Sequence, residues 1–220
     1  FTVNAMALRL PSRTFVDPHS GLRDLLLQTL KTPSKPEISF SDDPLRMMRA
    51  ARFTAQLGFE IEPETFDAMR SMADRIKIIS AERVRDELSK LLLAKDPRPG
   101  LEILVDSGIA ELVIPELPAL KLEADEHHHH KDVYQHTLTV VAQAIDYEKD
   151  YGLHQDLVLR LAALFHDIGK PATKRLEPGG AVSFYHNDVV GAKLAKKRLQ
   201  ELKFDNDTIK AVARLVELHL

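Results

Sequence analysis

Three arginines, Arg46, Arg49 and Arg52, follow at intervals of three behind Asp42, Asp43 and Pro44. Proline suits the first helical position, where its missing N–H costs nothing and its φ is already helical. The spacing therefore predicts a helix with Asp43 as N-cap and the arginines along one drifting face. One turn apart, Asp43 and Arg46 reach the same small ligand. Cytosine and adenine each present an amino donor beside a ring-nitrogen acceptor, so a carboxylate accepts from the first group and a guanidinium donates to the second. Guanine and uracil would be mispaired. The bland alternative is a capping aspartate followed by solvated arginines.

A second set is built from histidines: His136, the adjacent pair His166-Asp167 closing the apolar stretch 157–165, then His186 and His219. Neighbours on a helix point about 100° apart, so His166 and Asp167 cannot aim along one radius. They grip a cation from two sides when other helices bring further ligands. The alternative for the pair is a polar helix end in which Asp167 fixes nearby backbone. The run His127 to His130 sits mid-chain rather than at a terminus and is read as native, not as a purification tag. His129 joins the ligand set only if its helix reaches back past Asp132, which has the look of an N-cap.

The elements that must position these residues are mostly helical. Residues 5–10 and 14–16 read as two short strands joined through Pro11-Ser12-Arg13. From Gly21 onward the period is helical: Leu22, Leu25, Leu26, Thr29 and Leu30 predict one helix ending before Pro33, and Leu45, Met48, Arg52 and Ala55 line the next, closed by Gly58. Pro63 opens another, and Ser80-x-Glu82-Arg83 opens one running to Ala94. Asp96 to Gly100, with two prolines and a glycine in five residues, is the clearest hinge. Residues 101–107 are short and apolar, and Pro115 and Pro118 interrupt the chain beyond them. Lys193, Lys196, Lys197 and Arg198 form a dense basic cluster after Gly191, read as a solvated helix face.

Four segments in order, Phe1 to Ala7, Asp17 to Leu25, Asp43 to Phe59 and Ile79 to Leu88, resemble successive motifs of the class II nucleotidyltransferases. These are the CCA-adding tRNA nucleotidyltransferases and the bacterial poly(A) polymerases. The resemblance implies base reading by Asp43 and Arg46, triphosphate or ribose contacts by Arg49 and Arg52, and a place for Asn4 beside the same pocket. It implies tRNA, CTP and ATP as partners and magnesium for transfer in the parent enzyme. The family's metal-binding carboxylate pair is expected before Phe1, so the chain reads as a fragment that lacks the groups for nucleotidyl transfer.

His136, His166, Asp167, His186 and His219, with Phe165-His166-Asp167-Ile168-Gly169-Lys170-Pro171, resemble the HD superfamily of metal-dependent phosphohydrolases. Imidazoles with one carboxylate suit Mn, Fe, Ni, Co or Zn, with Mg admitted where carboxylate and water dominate. Such a metal ionises water near neutral pH for attack on a phosphoester, and Lys170 offers a cation to the phosphate. His166, Asp167 and Lys170 are the expected hydrolytic residues. The closing aspartate of the signature is open between Asp188, Asp205, Asp207 and a position after Leu220. An HD domain after such a head favours CCA addition over poly(A) synthesis.

The expectation is a mainly α protein: the end of a nucleotidyltransferase head with a short β-hairpin over 1–40, a helical neck over 41–125, and a helical HD domain over 126–220. The alternative is a stand-alone HD phosphohydrolase with a helical regulatory domain. Across 220 residues, a net charge of −3 argues against a non-specific nucleic-acid module, and the lack of cysteine excludes disulfides. No apolar run reaches the about 18 residues of a membrane span, so no membrane partner is expected and the cytoplasm is the default compartment. Oligomeric state is not legible.

Overall fold

The computed structural model describes residues 1–121 and 132–220, so the run His127 to His130 lies outside the described residues. β1 (Ala7–Arg9) and β2 (Thr14–Val16) pair antiparallel, with Ala7 opposite Val16. β1 starts later than expected because Thr2–Asn4 forms a 3-10 turn and the Ala5 N–H is spent on the Thr2 carbonyl. α1 (Gly21–Leu26) begins where the Asp17 carboxylate accepts from the N–H groups of Gly21 (2.7 Å) and Leu22 (3.0 Å).

The helix expected to continue through Leu30 stops short. Gln28 takes a positive φ of 52°, and Thr29–Leu30 becomes β3, which pairs in parallel with β4 (Glu60–Ile61). α2 (Pro36–Asp42) precedes α3 (Leu45–Leu57), which Gly58 ends in the left-handed region at φ 69°. Pro44, not Asp43, occupies the N-cap, a shift of one residue. Asp43 still caps, since its Oδ1 accepts from the Leu45 N–H at 3.2 Å. α3 buries more than one stripe, with Leu45, Met47, Met48, Ala50, Ala51, Thr54 and Ala55 all inside.

α4 (Pro63–Met72) and a 3-10 turn lead to α5 (Ala81–Leu92), whose N-cap Ser80 was expected and whose end falls two residues before Ala94. The supposed hinge is instead the packed start of α6 (Arg98–Asp106): Asp96 accepts from the Arg98 N–H, and Pro99 lies in the first turn, where no donor is needed. A Cβ on Gly100 would lie 2.6 Å from the Ala51 carbonyl oxygen, so this glycine serves close approach rather than bending. The short α7 (Ala110–Val113) comes next.

The second half carries α8 (Val133–Asp150), capped by Asp132, and α9 (Leu157–Phe165), capped by Asp156. Then come α10 (Lys170–Thr173), a hairpin of β5 (Arg175–Leu176) and β6 (Val182–Ser183), α11 (Asn187–Glu201) and α12 (Asn206–Glu217), capped by Asp205. The protein is mainly α, and no described helix is long and apolar enough to cross a membrane.

Buried apolar side chains form one contiguous core from Phe40 to Val216. One ion pair crosses it. Arg160 on α9, 2% exposed, donates to Glu148 on α8 through Nη2 (2.6 Å) and Nε (2.9 Å), and through Nη1 to the carbonyls of Leu92 (2.7 Å) and Ala94 (2.8 Å). Each guanidinium nitrogen has an acceptor, which is the condition under which a buried charge is tolerated. Burial pushes the Glu148 carboxyl up, but hydrogen bonds from Arg160 and the Asp156 N–H outweigh it, and the net shift is downward.

Because the folded value is depressed, this contribution is full above the ordinary carboxyl value of 4.5 and is lost as pH falls through the lower folded value. Arg160→Ala is expected to cost about 3–5 kcal/mol in urea unfolding at neutral pH, because it strands a buried carboxylate. The difference from wild type should shrink on acidification below the ordinary value; a cost within error of zero at neutral pH would contradict the clamp.

Candidate metal centre and nucleotide pocket

α9 is buried along Arg160 to Phe165, so it works as a core strut that delivers His166 and Asp167 at its C-terminal end. His136 approaches from α8 and His219 from beyond α12. Measured to Asp167, His166 Nε2 is 3.1 Å from Oδ2, His136 Nε2 is 3.8 Å from Oδ2, and His219 Nε2 is 3.7 Å from Oδ1. The donor atoms of His136, His166 and Asp167 all lie within 4.8 Å of one another. Lys170 Nζ sits 2.8 Å from Asp167 Oδ2.

Two features fit this set to a cation. His166 Nδ1 lies 2.8 Å from the Ala163 carbonyl and His219 Nδ1 lies 2.6 Å from that of Val216. A carbonyl only accepts, so both rings carry their proton on Nδ1, and a neutral ring then presents a lone pair at Nε2. His219 Nε2 is buried without a hydrogen-bond partner. His166 Nε2 faces a carboxylate oxygen, an arrangement that asks for ring protonation or a cation between them. Burial raises Asp167, but hydrogen bonds from a doubly protonated His166 and from Lys170 outweigh it and hold the carboxyl well below the usual range. It therefore stays an anion suited to metal binding.

Gly169 completes the centre from behind. A Cβ there would fall 2.0 Å from the Asn187 carbonyl oxygen and 2.7 Å from the Gly191 nitrogen, so only glycine lets α11 close against the loop after His166-Asp167.

His186 is exposed in the left-handed region at φ 61°, at the N-cap of α11, and does not join the donor group. Its expected role as a ligand has no geometric support, because its backbone conformation serves the turn into α11. Among the described residues no further carboxylate joins the group, and Asp205 is spent capping α12, accepting from the Thr208 N–H at 2.9 Å. A cleft of about 760 Å³ opens beside the centre, walled by Val140, Ala144, Tyr147, Leu159 and Leu215.

The second pocket, of about 240 Å³, is lined by Asn4, Arg46, Arg49 and Arg52 together with Phe1, Phe53, Glu87 and Lys90. Arg46 donates through Nη1 to the carbonyl and hydroxyl of Ser39, both at 3.1 Å. Arg52 Nε donates to Glu87 Oε2 at 2.7 Å, with its guanidinium carbon 4.4 Å from the Phe53 ring centre. Arg49 Nε lies 3.5 Å from Glu87 Oε1.

Asp43 is outside this lining. Its Oδ2 is 3.0 Å from Arg83 Nη2 and 3.9 Å from Arg49 Nη1, so in this state it is paired to protein cations. Sequence reasoning gave no site role to Glu87, Arg83 or Lys90. The signal was their spacing of four and three on α5, an acid between two cations one turn either side.

Residues 58–120 match the family described as the probable RNA and SrmB-binding site of polymerase A, and residues 133–220 match the HD domain. The chain is 39% identical over 226 residues to the A-adding tRNA nucleotidyltransferase of Deinococcus radiodurans, covering 100% of this chain and 50% of that protein. It is 36% identical to the multifunctional CCA protein of Psychromonas ingrahamii, covering 99% and 52%. The chain thus spans about half the length of the curated relatives it matches.

Among solved structures, a tRNA-processing enzyme in apo form 2 aligns with a TM-score of 0.68 at 19% identity, covering 100% of this chain and 55% of that one. The Thermotoga maritima CCA-adding enzyme complexed with tRNA aligns at 0.52 and 20% identity, covering 99% and 55%. At these identities the structural likeness speaks to the fold alone. Fold and site together define an HD-domain protein. The chain carries the polymerase A RNA-binding-site and HD domains and is similar along 99–100% of its length to curated tRNA nucleotidyltransferase and CCA proteins.

If the histidine and aspartate donors hold a cation, calorimetric titration with Mn²⁺ or Co²⁺ should show saturable binding. Asp167→Asn and His219→Ala should each weaken it by at least the about 10–100-fold that loss of an outer partner costs. His186→Ala should leave it unchanged; equal affinity in all four proteins would contradict this ligand set.

Proposed function

We propose that this chain is the base-selecting neck and HD portion of a tRNA nucleotidyltransferase that adds CCA to tRNA 3′ ends from CTP and ATP. The observation that carries the reading is the pocket in which Asn4, Arg46, Arg49 and Arg52 converge on one face of α3. Guanidinium groups suit this task because they stay charged and donate in a fixed fork to phosphate oxygens and ring nitrogens. Glu87 holds Arg49 and Arg52 from behind, which orders their forks before a nucleotide arrives. Arg46 exchanges its Ser39 contacts for the base, and Asp43 leaves Arg83 to accept the amino group.

In this reading the 1–40, 41–125 and 126–220 divisions stand as head remnant, neck and HD domain, working in the cytoplasm on tRNA. On the same reading the magnesium for transfer would be held by carboxylates elsewhere in the parent enzyme, and the 220-residue chain is proposed to bind nucleotides without joining them.

The HD domain is proposed to hydrolyse a phosphoester. A divalent ion held by His136, His166, Asp167 and His219 supplies Lewis acidity and an activated nucleophile. Lys170, anchored by Asp167, offers its ammonium to a phosphate oxygen at the mouth of the cleft. Likeness along 99–100% of the chain to full tRNA nucleotidyltransferases favours this reading over a stand-alone HD phosphohydrolase and over poly(A) synthesis. The Deinococcus relative, which carries the A-adding name, supports a second reading: selection of ATP alone.

Calorimetry with CTP, ATP, GTP and UTP separates these. CCA addition expects CTP and ATP to bind above GTP and UTP, whereas A addition expects ATP alone to stand out. Arg46→Ala should lose about 10–150-fold, the value of a hydrogen bond to a charged group. Four equal, weak affinities unaffected by the substitution would contradict both.

A further inference from the structure

The cations of the arginine-lined pocket are not equivalent. Four cationic side chains line it, Arg46, Arg49, Arg52 and Lys90, against one carboxylate, Glu87, an excess suited to a polyanion. The three guanidinium groups already have protein partners. Arg46 donates to Ser39, Arg49 lies between Glu87 and Asp43, and Arg52 donates to Glu87 and, through Nη1, to Gln56 at 2.9 Å. Lys90 is exposed, and among the described residues its side chain makes no hydrogen bond or ion pair.

The two helices that bear these charges fix their order. Asp43, just before α3, meets Arg83 at the start of α5, and Arg52 meets Glu87 further along both. Further still, a Cβ on Gly100 would lie 3.0 Å from Ala55 and 3.1 Å from Leu91. α3 and α5 therefore run side by side in the same direction. Lys90, three residues after Glu87 and one before Leu91, stands at the end remote from Asp43. Arg46 and Arg52 are six residues apart, about 9 Å along the helix axis. A nucleotide with its base at Asp43 and Arg46 has the Arg52 and Lys90 end left for its phosphates. An ammonium suits that end, because it is a compact charge with three rotatable donors that can follow the oxygens of a phosphate chain.

We propose that Lys90 is a specificity-determining residue that takes the terminal phosphates of the nucleotide, so that the pocket distinguishes a triphosphate from a mono- or diphosphate of the same base. The inference rests on the nucleotide-selecting reading of the pocket and adds a second axis to it. Asp43 and Arg46 read the base, and Lys90 reads the length of the phosphate chain. Because the ammonium is exposed, its contact is screened by salt and is strongest at low ionic strength.

Calorimetric titration of ATP, ADP and AMP at low salt, without divalent metal, measures both axes. Wild type should bind ATP most tightly, then ADP, then AMP. Lys90→Gln should weaken ATP about tenfold, the low end for a hydrogen bond to a charged group, and leave AMP unchanged. The unchanged AMP affinity also shows that the pocket of the variant is intact. Lys90→Arg should keep the wild-type order, because it keeps the charge. Arg46→Ala should weaken all three nucleotides by one common factor, since they share the base. Inorganic tripolyphosphate should compete with ATP on wild type and about tenfold less well on Lys90→Gln, a comparison that needs no base.

Equal losses for ATP and AMP in Lys90→Gln, or no loss for either, would overturn the assignment. Where wild type still binds ATP and Arg46→Ala still weakens it, only the role of Lys90 is lost. A wild-type protein that binds none of the three nucleotides would overturn the nucleotide-selecting reading, and the role of Lys90 would fall with it.

Discussion

The buried guanidinium of Arg160 ties together the parts of the molecule that do chemistry. It sits on α9, the helix that ends in His166 and Asp167, and it grips the carbonyls of Leu92 and Ala94 where α5 finishes. α5 in turn carries Glu87, which holds Arg49 and Arg52 in the arginine-lined pocket. Glu148 on α8 neutralises the charge, and the same helix carries His136. One side chain therefore sets the relative placement of the helices that bring His136, His166 and Asp167 together and the helix that orders the arginines. A charge so deeply buried is a poor source of net stability compared with apolar packing, and its value here lies in directional bonds that only one arrangement satisfies.

The two pockets use carboxylates in opposite ways. Glu87 is a support: it accepts from Arg52 Nε and pairs with Arg49 Nε, while Arg52 Nη1 is turned to Gln56 and Arg49 Nη1 toward Asp43. Asp167 is a hub, with Lys170 and three imidazoles around its two oxygens. Its anionic state is set by those neighbours despite burial. The orphaned Nε2 of His219 then needs an acceptor of its lone pair, and a cation at the hub is the partner that fits.

Much of this was legible in sequence, and the gaps have physical causes. Helical period and capping side chains placed both ends of α3 and α5 and the starts of α4 and α8 to within two residues, and the apolar stretch 157–165 is α9, because those signals are local. β3 and β4 were not legible: their ladder joins two-residue segments about thirty positions apart, and Gln28 adopts a positive φ without being glycine. Asp96 to Gly100 looked like a hinge because proline and glycine mark a loop and a helix start alike. Only the approach of Gly100 to Ala51 tells them apart. In the metal centre, His136, His166, Asp167 and His219 come together as their order suggested, whereas His186 turns out to solvent. Glu87 was hidden because an acid on an amphipathic helix reads as surface until its partners on another helix are seen.

Whether Arg160 organises both pockets is tested most directly by titrating Mn²⁺ and ATP separately into Arg160→Met under conditions where the variant remains helical by circular dichroism. Both affinities are expected to fall together by at least about tenfold, 1.4 kcal/mol each. Wild-type affinity at both pockets would contradict that role.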